Sequence, residues 1–507
     1  MAYFQTKSSR VAIVTEVTEG TPVSPSAAGS YIPIESDFSM APSFDTLTND
    51  ELTGSIGSSK DVLGLENPES SFSLYLKSSG SEGVAPQADV LFNSAFGGKS
   101  VESTEYNTTA SSTAGDSTTR AVIKSTGNMN NKERGEALLI KDSALSFGYE
   151  IVNVYTVDDA NTVSTLFNIP GAPASGVGLG KASLYKPADT GHPTFSLWGY
   201  KANSAAVEMI SGCRVSELSI DVPAGDFVNC SYTIPGLAYY FNPIEITATT
   251  DTIDFTDDGG AVSASLTNKF YKDPIDAADA LAAAMTAASA PSGGQTISVS
   301  YSSSTGKFTV SATGTTFDVD WATTTNTLGA KFGFTADDSG STSYVSDAAL
   351  TLTSPQTPSF YSVNPFVAKN NKVQFGSFYD YTCFSAQNVS FTLSNEITAV
   401  SSICSESGKE ASVITARECS VDVLANLQQY ESHNFKKYRA GDNVQFAFSF
   451  GEKSGGNWIP GKCGNLALFT STITSFELVD TDGLVTLQMT LTGYVESGLG
   501  EIYLNFL

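Results

Sequence analysis

The chain has 507 residues, of which 41% are hydrophobic and 16% charged, and its 27 basic and 53 acidic residues give a formal net charge of −26. That length is enough for roughly two to four domains with hydrophobic cores, whereas the acidic surplus argues against nucleic-acid binding, which needs cations to displace counterions from the phosphates. No apolar stretch is long enough to cross a bilayer, and the N-terminal residues lack the basic and apolar segments of a secretory signal.

The N-terminal part of the chain alternates predicted strands with turns. Residues 11–24 predict a strand that runs into a loop at Gly20-Thr21-Pro22. Residues 86–97 predict a short helix that begins at Pro86 and ends at Gly97, because apolar side chains recur four residues apart between them.

Residues 100–200 set the first half of the chain apart from the second. Residues 100–120 are rich in Ser and Thr and predict a mobile loop. Most of 121–200 has no counterpart later in the chain. We therefore expect an elaboration of the first domain rather than part of a repeated core.

Residues 244–356 have a character of their own. A helix is predicted with Asp273 as its N-cap, Pro274 at its first position and an alanine-rich body over 277–288. Two alternating segments follow across a Ser-Thr-Gly turn. This pattern predicts a small α+β unit, and we expect it to project outward because it is inserted between two β-rich segments.

A strand–turn–strand unit occurs twice, about 258 residues apart. The first copy runs from Val215 to Gly236 and the second from Ile473 to Gly493, each with apolar residues at period two on both sides of a glycine turn. A second pair of matching segments lies upstream of each hairpin, 37–40 with 71–76 and 388–391 with 419–424. The spacing from Phe38 to Phe72 nearly equals that from Val389 to Val421.

Two ordered matches in register predict a duplicated β domain. The predicted fold is mainly β, with two tandem β-sandwich or barrel domains, each with a short packed helix, and a small inserted α+β domain. The predicted boundaries are 1–243 for the first domain with an N-terminal arm and the 100–200 elaboration, 244–356 for the insert and 357–507 for the second domain.

The six cysteines, at positions 213, 230, 383, 404, 419 and 463, form no Cys-x-x-Cys pair. His192 and His433 have no cysteine at metal-ligand spacing. Cys213 and Cys230 lie on the two arms of one predicted hairpin, but they are offset by several residues when reflected about its turn. We expect reduced, mostly buried thiols, as in a protein that folds in a cytoplasm.

Paired acids are the main candidates for chemistry, and they lie in predicted turns: Asp158-Asp159, Asp257-Asp258, Asp337-Asp338 and Asp480 with Asp482. They could bind calcium or serve as a hydrolytic carboxylate pair, but Asp favours turns because it bonds its own backbone, and we expect solvated turn residues. The best metal candidate, Asp251, Asp254, Asp257 and Asp258, lacks the spacing of a calcium loop. The sequence therefore predicts no catalytic, cofactor-binding or metal site, and no enzyme.

Three tryptophans and a small basic group are the other candidate binding residues. Trp198, Trp321 and Trp458 could stack on a sugar, but each lies beside apolar residues and is expected to pack in a core or interface. The basic group of Lys436, Lys437 and Arg439 is too small for nucleic-acid binding and is expected to pair with acids of a neighbouring subunit.

The turn and strand patterns resemble those of the tail tube proteins of tailed bacteriophages. The resemblance is carried by Ala12–Glu16 with Gly20-Thr21-Pro22, by Glu51–Gly57 and Gly64–Pro68, and by the closing hairpin of each half. It covers about 1–98 and 201–243 well and 383–507 more loosely. The insert lies between the copies rather than at the C-terminus, where many tube subunits carry an extra immunoglobulin-like domain, and 121–200 matches nothing in the family.

The resemblance implies a structural virion protein made of tail-tube-like domains. Such subunits form stacked rings whose sheets join edge to edge into an inner barrel, with loops and an N-terminal arm binding the next ring. Polymerisation would also satisfy the exposed strand edges, which are an aggregation hazard in a monomer. Implied partners are a tape measure protein and tail terminator or tip proteins, with genomic DNA passing through the lumen unbound.

The expected location is the virion tail, assembled in the bacterial host cytoplasm. If both copies are tube domains, three chains supply the six domains of a ring, a trimer with pseudo-sixfold symmetry; a ring of six chains is the alternative. Two other functions stay open: a tail fibre or receptor-binding adhesin, and a glycan-active enzyme.

Overall fold

The computed structural model describes residues 9–51, 60–109, 112–145, 148–202, 205–291, 294–322, 328–383, 385–427, 432–495 and 501–507. Over these residues the chain is mainly β, as the sequence predicts. Within the described part of the chain, no helix has the length and apolar character needed to span a bilayer.

The elements follow one another in five groups. The N-terminal group is β1 (Arg10–Thr15), β2 (Tyr31–Ile32), β3 (Ser39–Ala41), β4 (Phe44–Leu47), β5 (Val62–Glu66), β6 (Glu69–Tyr75), α1 (Asp89–Phe96) and β7 (Gly97–Glu102). The elaboration is β8 (Tyr106–Asn107), β9 (Val122–Lys124), β10 (Ala137–Ile140), β11 (Glu150–Asp159), β12 (Thr162–Thr165) and β13 (Gly178–Leu179). The third group is β14 (Ala182–Pro187), β15 (Phe195–Lys201), β16 (Ala206–Cys213), β17 (Glu217–Pro223), β18 (Asn229–Pro235) and β19 (Ala238–Phe241).

The insert and the C-terminal group complete the chain. The insert is β20 (Ile244–Glu245), β21 (Thr252–Asp257), β22 (Gly260–Ser265), β23 (Phe270–Tyr271), α2 (Pro274–Ser289), β24 (Ile297–Ser302), β25 (Lys307–Ala312), β26 (Asp318–Asp320), α3 (Leu328–Lys331) and β27 (Ser343–Val345). The C-terminal group is β28 (Lys372–Gly376), β29 (Tyr381–Cys383), β30 (Ala386–Ser401), β31 (Lys409–Asn426), α4 (Ser432–Ala440), β32 (Val444–Ser454), β33 (Asn457–Thr481), β34 (Leu484–Gly493) and β35 (Ile502–Phe506).

Two local expectations need correction. The first helix begins at Asp89 with Ala88 as its N-cap, so Pro86 precedes the helix rather than starting it. Gly97 ends the helix as predicted, in the left-handed conformation with φ 85° that glycine adopts without steric cost. Residues 100–120 are not only a loop, because they contain the end of β7 and all of β8.

The same arrangement of strands occurs in both halves of the chain. In the first half, a four-stranded sheet has the order β3-β6-β18-β17, and a five-stranded sheet has the order β19-β16-β15-β1-β2. In the second half, the orders are β30-β31-β34-β33 and β35-β33-β32-β28-β29. The two sheets of the second half are fused, because the long β33 belongs to both. We call these two sets of strands the first copy and the second copy.

The register repeats as well as the order. Leu218 faces Tyr232 in the first copy, and Phe476 faces Met489 in the second. Met40 and Phe391 are counterparts, as are Phe72 and Val423, with a constant offset of 351 residues (391 − 40 and 423 − 72).

The β-bulges of the two copies also coincide. Pairing shifts between Phe44 and Thr46 in the β4–β5 hairpin, and between Glu396 and Ile397 in the β30–β31 hairpin, which is the same place under the 351-residue offset. The sequence pattern predicts Val421 as the counterpart of Phe72, but the structure gives Val423, two residues further along β31. A repeat of order, register and bulge shows that the two copies share one architecture.

The insert and the elaboration each have a core of their own. The insert packs its helix α2 against its strands around a cluster that includes Phe255, Leu281 and Phe308. Asp273 caps α2 by accepting hydrogen bonds from Ile275 N and Asp276 N, as predicted. The domain boundaries given above stay a prediction, but the core of the insert contains no residue of either copy.

The elaboration is inserted within the first copy in sequence, between β7 and β14, but it packs on the second copy. Its strand β10 and the second copy's Asn505 are joined by a hydrogen bond from Ala137 N to Asn505 Oδ1 at 3.0 Å. The side chains of Asn153 and Asn465 are hydrogen-bonded at 2.6 Å. Strand β14 then pairs with β35, so the second copy's five-stranded sheet is extended by strands from the first half of the chain.

Candidate assembly edges

The two copies are joined by direct strand pairing. β17 at the end of the first four-stranded sheet pairs antiparallel with β30 at the start of the second, over seven facing residue pairs from Glu217–Ser394 to Pro223–Asn388. We call this pairing the internal joint. Ile220 faces Phe391 across it, and both side chains are buried in one core that spans the two copies.

The internal joint is asymmetric, because it joins the last strand of one copy to the first strand of the next. The first copy therefore keeps its own first strand, β3, unpaired on one side, and the second copy keeps the end of β33 unpaired. We call these the leading edge (β3) and the trailing edge (Phe476–Thr481 of β33). Among the described strands, none pairs with the outer side of either edge.

The trailing edge exposes side chains whose counterparts are buried. Leu478 occupies the place of Ile220 in the repeated hairpin, yet Leu478 is 59% exposed and Ile220 is 3% exposed. Burial of one such side chain contributes about 1.5–3 kcal/mol. The trailing edge therefore has the sequence of a buried strand without the neighbour that would bury it.

The two helices show the same contrast. Leu91 of α1 is fully buried in the core that spans the two copies, and the Phe92 ring contacts Tyr232 of the first copy and Phe506 of the second. The equivalent helix α4 ends at Gly441, the counterpart of Gly97, and lies beside the trailing edge. Its Phe435 is 46% exposed.

An aromatic patch forms where α4 meets the trailing edge. The Phe435 and Phe476 ring centroids are 5.6 Å apart, and Tyr438 stacks on Phe476 at 6.0 Å. Phe435 is exposed, whereas Tyr438 and Phe476 are partly buried against the core. Aromatic side chains that stay accessible at a surface are enriched where another protein binds. We call these three residues the aromatic patch.

The leading edge continues into an exposed apolar hairpin. Strands β4 and β5 extend the β3–β6 pairing, and their apolar side chains are largely exposed: Phe44, Leu47, Val62 and Leu63. In the equivalent part of the β30–β31 hairpin, the counterpart of Phe44 is buried against the first copy, whereas Val413, the counterpart of Val62, is 49% exposed. There, Asn395 is buried and donates from Nδ2 to Ala95 O at 3.0 Å and to Val215 O at 3.1 Å.

The outer face of the joined four-stranded sheets is polar and acidic. Apolar side chains at alternate positions of β6, β17 and β18 point into the core, and Ser, Thr, Asn and acidic side chains lie on the other side. The eight strand segments of this sheet (39–41, 69–75, 217–223, 229–235, 388–394, 418–426, 475–481 and 484–492) contain no lysine or arginine. Their carboxylates are those of Glu69, Glu217, Asp221, Glu418, Asp422, Glu477 and Asp480.

The structure gives the candidate metal residues separate partners. Asp257 accepts hydrogen bonds from Ser289 Oγ at 2.7 Å and Gly259 N at 2.8 Å, and Asp258 accepts from Thr316 N at 2.6 Å. The backbone hydrogen bonds from Thr315 and Thr316 lower the pKa of Asp258. Across the described residues, no group of three His, Cys, Asp or Glu side chains is arranged to hold a metal ion.

One of these aspartates differs from the expectation of a solvated turn. Asp257 is buried, because it ends strand β21 underneath the C-terminal end of α2. Asp254 faces Asp320 on the neighbouring strand. Burial raises the pKa of Asp320, and the negative charges of the nearby Asp337 and Asp254 raise it further.

Of the remaining paired acids, Asp158 and Asp159 are the last two residues of β11 and Asp480 lies near the end of β33, so these three lie at strand ends rather than in the predicted turns. Asp158 accepts from Ser164 Oγ at 2.6 Å, Asp480 accepts from Gly483 N at 2.9 Å, and Asp338 accepts from Trp321 Nε1 at 3.1 Å. Each carboxylate is thus used by its local structure.

The tryptophans pack inside the protein, as predicted. All three are buried. Trp198 stacks on Tyr200, Trp321 stacks on Phe334 at a centroid distance of 4.0 Å, and the Lys453 ammonium lies 3.9 Å from the Trp458 ring centroid. The structure therefore gives these rings no exposed face for a sugar.

The basic group lies on α4, next to the trailing edge. Burial lowers the pKa of Lys437, whose ammonium lies 5.6 Å from the Phe375 ring centroid. Pairing of Lys436, Lys437 and Arg439 with a neighbouring subunit stays a prediction. Its place beside the trailing edge is something that the sequence alone did not indicate.

The cysteines are free thiols where the structure describes them. Cys213, Cys230, Cys419 and Cys463 are buried and Cys404 is exposed, whereas the side chain of Cys383 lies outside the described part. Burial raises the pKa of Cys419 to about 12. His192 is buried as well, with Nδ1 2.8 Å from Ser94 O and Nε2 2.9 Å from Ala188 O. The side chain of His433 also lies outside the described part.

Comparisons with known proteins give little further information. No protein-family model matches the chain, and no curated protein matches it. Among solved structures, a variant of the Hcp1 protein from the E. coli EAEC 042 pathovar is similar over 26% of this chain and 95% of its own, with 9% identity and a TM-score of 0.17. A TM-score this low carries no argument about fold or function.

Proposed function

We propose that this protein is the subunit of a hollow tube, in which chains join head to tail through their sheet edges into closed rings, and rings stack. The internal joint is the observation that carries this proposal. It pairs the last strand of one copy with the first strand of another, and the chain presents the same two kinds of strand, unpaired, at its two ends. A further chain can therefore be added by the contact that already joins the two copies.

A repeated head-to-tail contact produces a ring when its rotation closes and a filament when it does not. In a closed ring of three chains, six copies are related by pseudo-sixfold symmetry, and every strand edge of the four-stranded sheets is paired. Closure removes the edges that would otherwise promote aggregation. Fusion of two copies in one chain makes half of these joints intramolecular, which lowers the entropic cost of closing the ring.

Such a ring is wide enough to be a conduit. Each copy contributes a four-stranded sheet, so that three chains supply 3 × 8 = 24 strands. At about 4.8 Å per strand, they form a cylindrical wall roughly 37 Å in diameter. Strand tilt would make this diameter larger. Barrels of 16 to 18 strands already leave an aqueous channel.

The charge of the sheet favours DNA as the cargo of this conduit. The eight strand segments given above carry carboxylates and hydroxyl groups and no lysine or arginine, and a wall of this kind repels phosphates, so a polyanion can slide without binding. Together with the resemblance to phage tail tube proteins, this supports a structural, non-enzymatic role in the tail of a virion that is assembled in the host cytoplasm. A tape measure protein and tail terminator or tip proteins are the partners that such a role requires.

Electron microscopy of the purified full-length protein tests this function. Rings or long hollow tubes with a central channel are the expected result. Particles that stay single chains at all concentrations, or that form solid trimeric fibres, would contradict it.

A further inference from the structure

The internal joint also specifies how one chain contacts the next. Because the two copies match in strand order, register and bulge position, each residue pair across the internal joint has a counterpart pair between the trailing edge and a leading edge. On the basis of the proposed function, we infer that the trailing edge of one chain binds β3 of a neighbouring, identical chain in the register of the internal joint.

The register follows from the two offsets between the copies. Ile220 corresponds to Leu478 (478 − 220 = 258) and Phe391 corresponds to Met40, so the Ile220–Phe391 pair predicts that Leu478 faces Met40 of a neighbouring chain. By the same offsets, Asp221 facing Ser390 predicts Val479 facing Ser39. Leu478 then points into a core and Val479 lies on the polar face.

This docking places Phe44 of the neighbouring chain at the aromatic patch. Phe44 is the counterpart of Asn395, whose amide lies at the C-terminal end of α1 and beside Val215. The corresponding end of α4 carries Tyr438, which stacks on Phe476. Phe44 is 45% exposed in the single chain, and docking would cover it together with the patch.

The two joints of the ring therefore differ in chemistry. The internal joint is fixed by buried hydrogen bonds from Asn395, which form once, as the chain folds. The joint between chains replaces that amide with a phenyl ring that meets an aromatic patch, which suits a contact that must form between separate molecules in water, because removal of apolar surface from water drives association. Phe44 of the neighbouring chain and Phe435 are both exposed before docking, and their contact would remove both rings from water.

Disulfide cross-linking tests the register. In a Cys404→Ser background, Val479→Cys combined with Ser39→Cys should give covalently linked chains on a non-reducing denaturing gel after mild oxidation. The matched control is Asp221→Cys with Ser390→Cys, the equivalent pair of the internal joint, which should form its disulfide within each chain. Glu477→Cys with Ser39→Cys samples a register slipped by two residues and should not cross-link.

The outcomes separate this inference from the proposed function. Linked chains from the first pair and none from the slipped pair support the inferred register. If rings form but only the slipped pair cross-links, or if neither pair does while the internal control is oxidised, the register is wrong and the tube function stands. If the parent protein forms no rings and neither intermolecular pair links chains, both the function and the inference fail.

Discussion

Ile220 and Leu478 hold the same position in two copies of one hairpin, but only Ile220 has a neighbouring strand on its outer side. The strand that covers Ile220 belongs to the second copy of the same chain. The strand that would cover Leu478 must come from another molecule. This difference between two equivalent residues is the basis of the assembly proposed above.

Leu478→Asp should block ring formation without unfolding the chain. The substitution places a charge where an apolar side chain should become buried, so we expect the concentration needed for assembly to rise roughly ten- to hundredfold. Sedimentation velocity at increasing protein concentration measures this. Ile275→Asp is the matched control, because Ile275 is also 59% exposed but lies in the insert; equal loss of assembly in both variants would contradict a specific role of the trailing edge.

Phe44→Ala should weaken ring formation roughly tenfold, because the ring contact with the aromatic patch is lost. Phe435→Ala should do the same, and the double variant should be little worse than either single variant, since both remove one contact. Leu47→Ala is the control on the same hairpin: its counterpart, Thr398, contacts Thr415 of its own hairpin rather than α1. Additive losses from Phe44 and Phe435 would show that these rings do not meet.

The polar face of the joined sheets should decide whether DNA is retained. Asp221→Lys combined with Asp422→Lys leaves the buried side of both strands unchanged, so rings should still form. In assembled rings these lysines give the wall a positive charge, and DNA retention should appear and weaken steeply with salt. A filter-binding assay between about 50 and 200 mM salt measures it; DNA retention by the unmodified rings would contradict a repelling wall.

Removal of the insert should leave assembly intact. A deletion of 246–354 with a short linker removes a unit that has its own core and touches the first copy through few side chains, among them Phe270 at 5.8 Å from Trp198. We expect rings of normal diameter in electron micrographs, with a lower melting temperature because Trp198 loses that ring contact. Phe270→Ala should reproduce the stability loss alone. Failure of the deleted chain to assemble, when Phe270→Ala assembles, would mean that the insert is part of the ring contact.

Much of the local structure could be predicted from the sequence. The hairpins of β17 with β18 and of β33 with β34 follow from apolar residues at period two around a glycine turn, and α2 follows from its Asp-Pro start and alanine-rich body. The duplication can be recognised in the sequence for the same reason, since a duplicated domain keeps its alternation of apolar and polar residues and its turn lengths.

The long-range relations could not be predicted, for physical reasons. An alternating strand fits its neighbour equally well after a slip of two residues, so the sequence pattern pairs Phe72 with Val421, whereas the structure makes Val423 its counterpart. Alternation also does not say which strand pairs with which, so the internal joint between β17 and β30 and the pairing of β14 with β35 were not foreseen. The burial of Asp257 depends on Ser289, which is 32 residues away in sequence.

The mass of an isolated ring tests the central claim most directly. If the two copies within each chain both take part in one closed ring, native mass spectrometry should show three chains, 3 × 53.2 kDa or about 160 kDa. A ring of six full-length chains, about 320 kDa, would contradict the account, because the internal joint would then not be the contact that closes the ring.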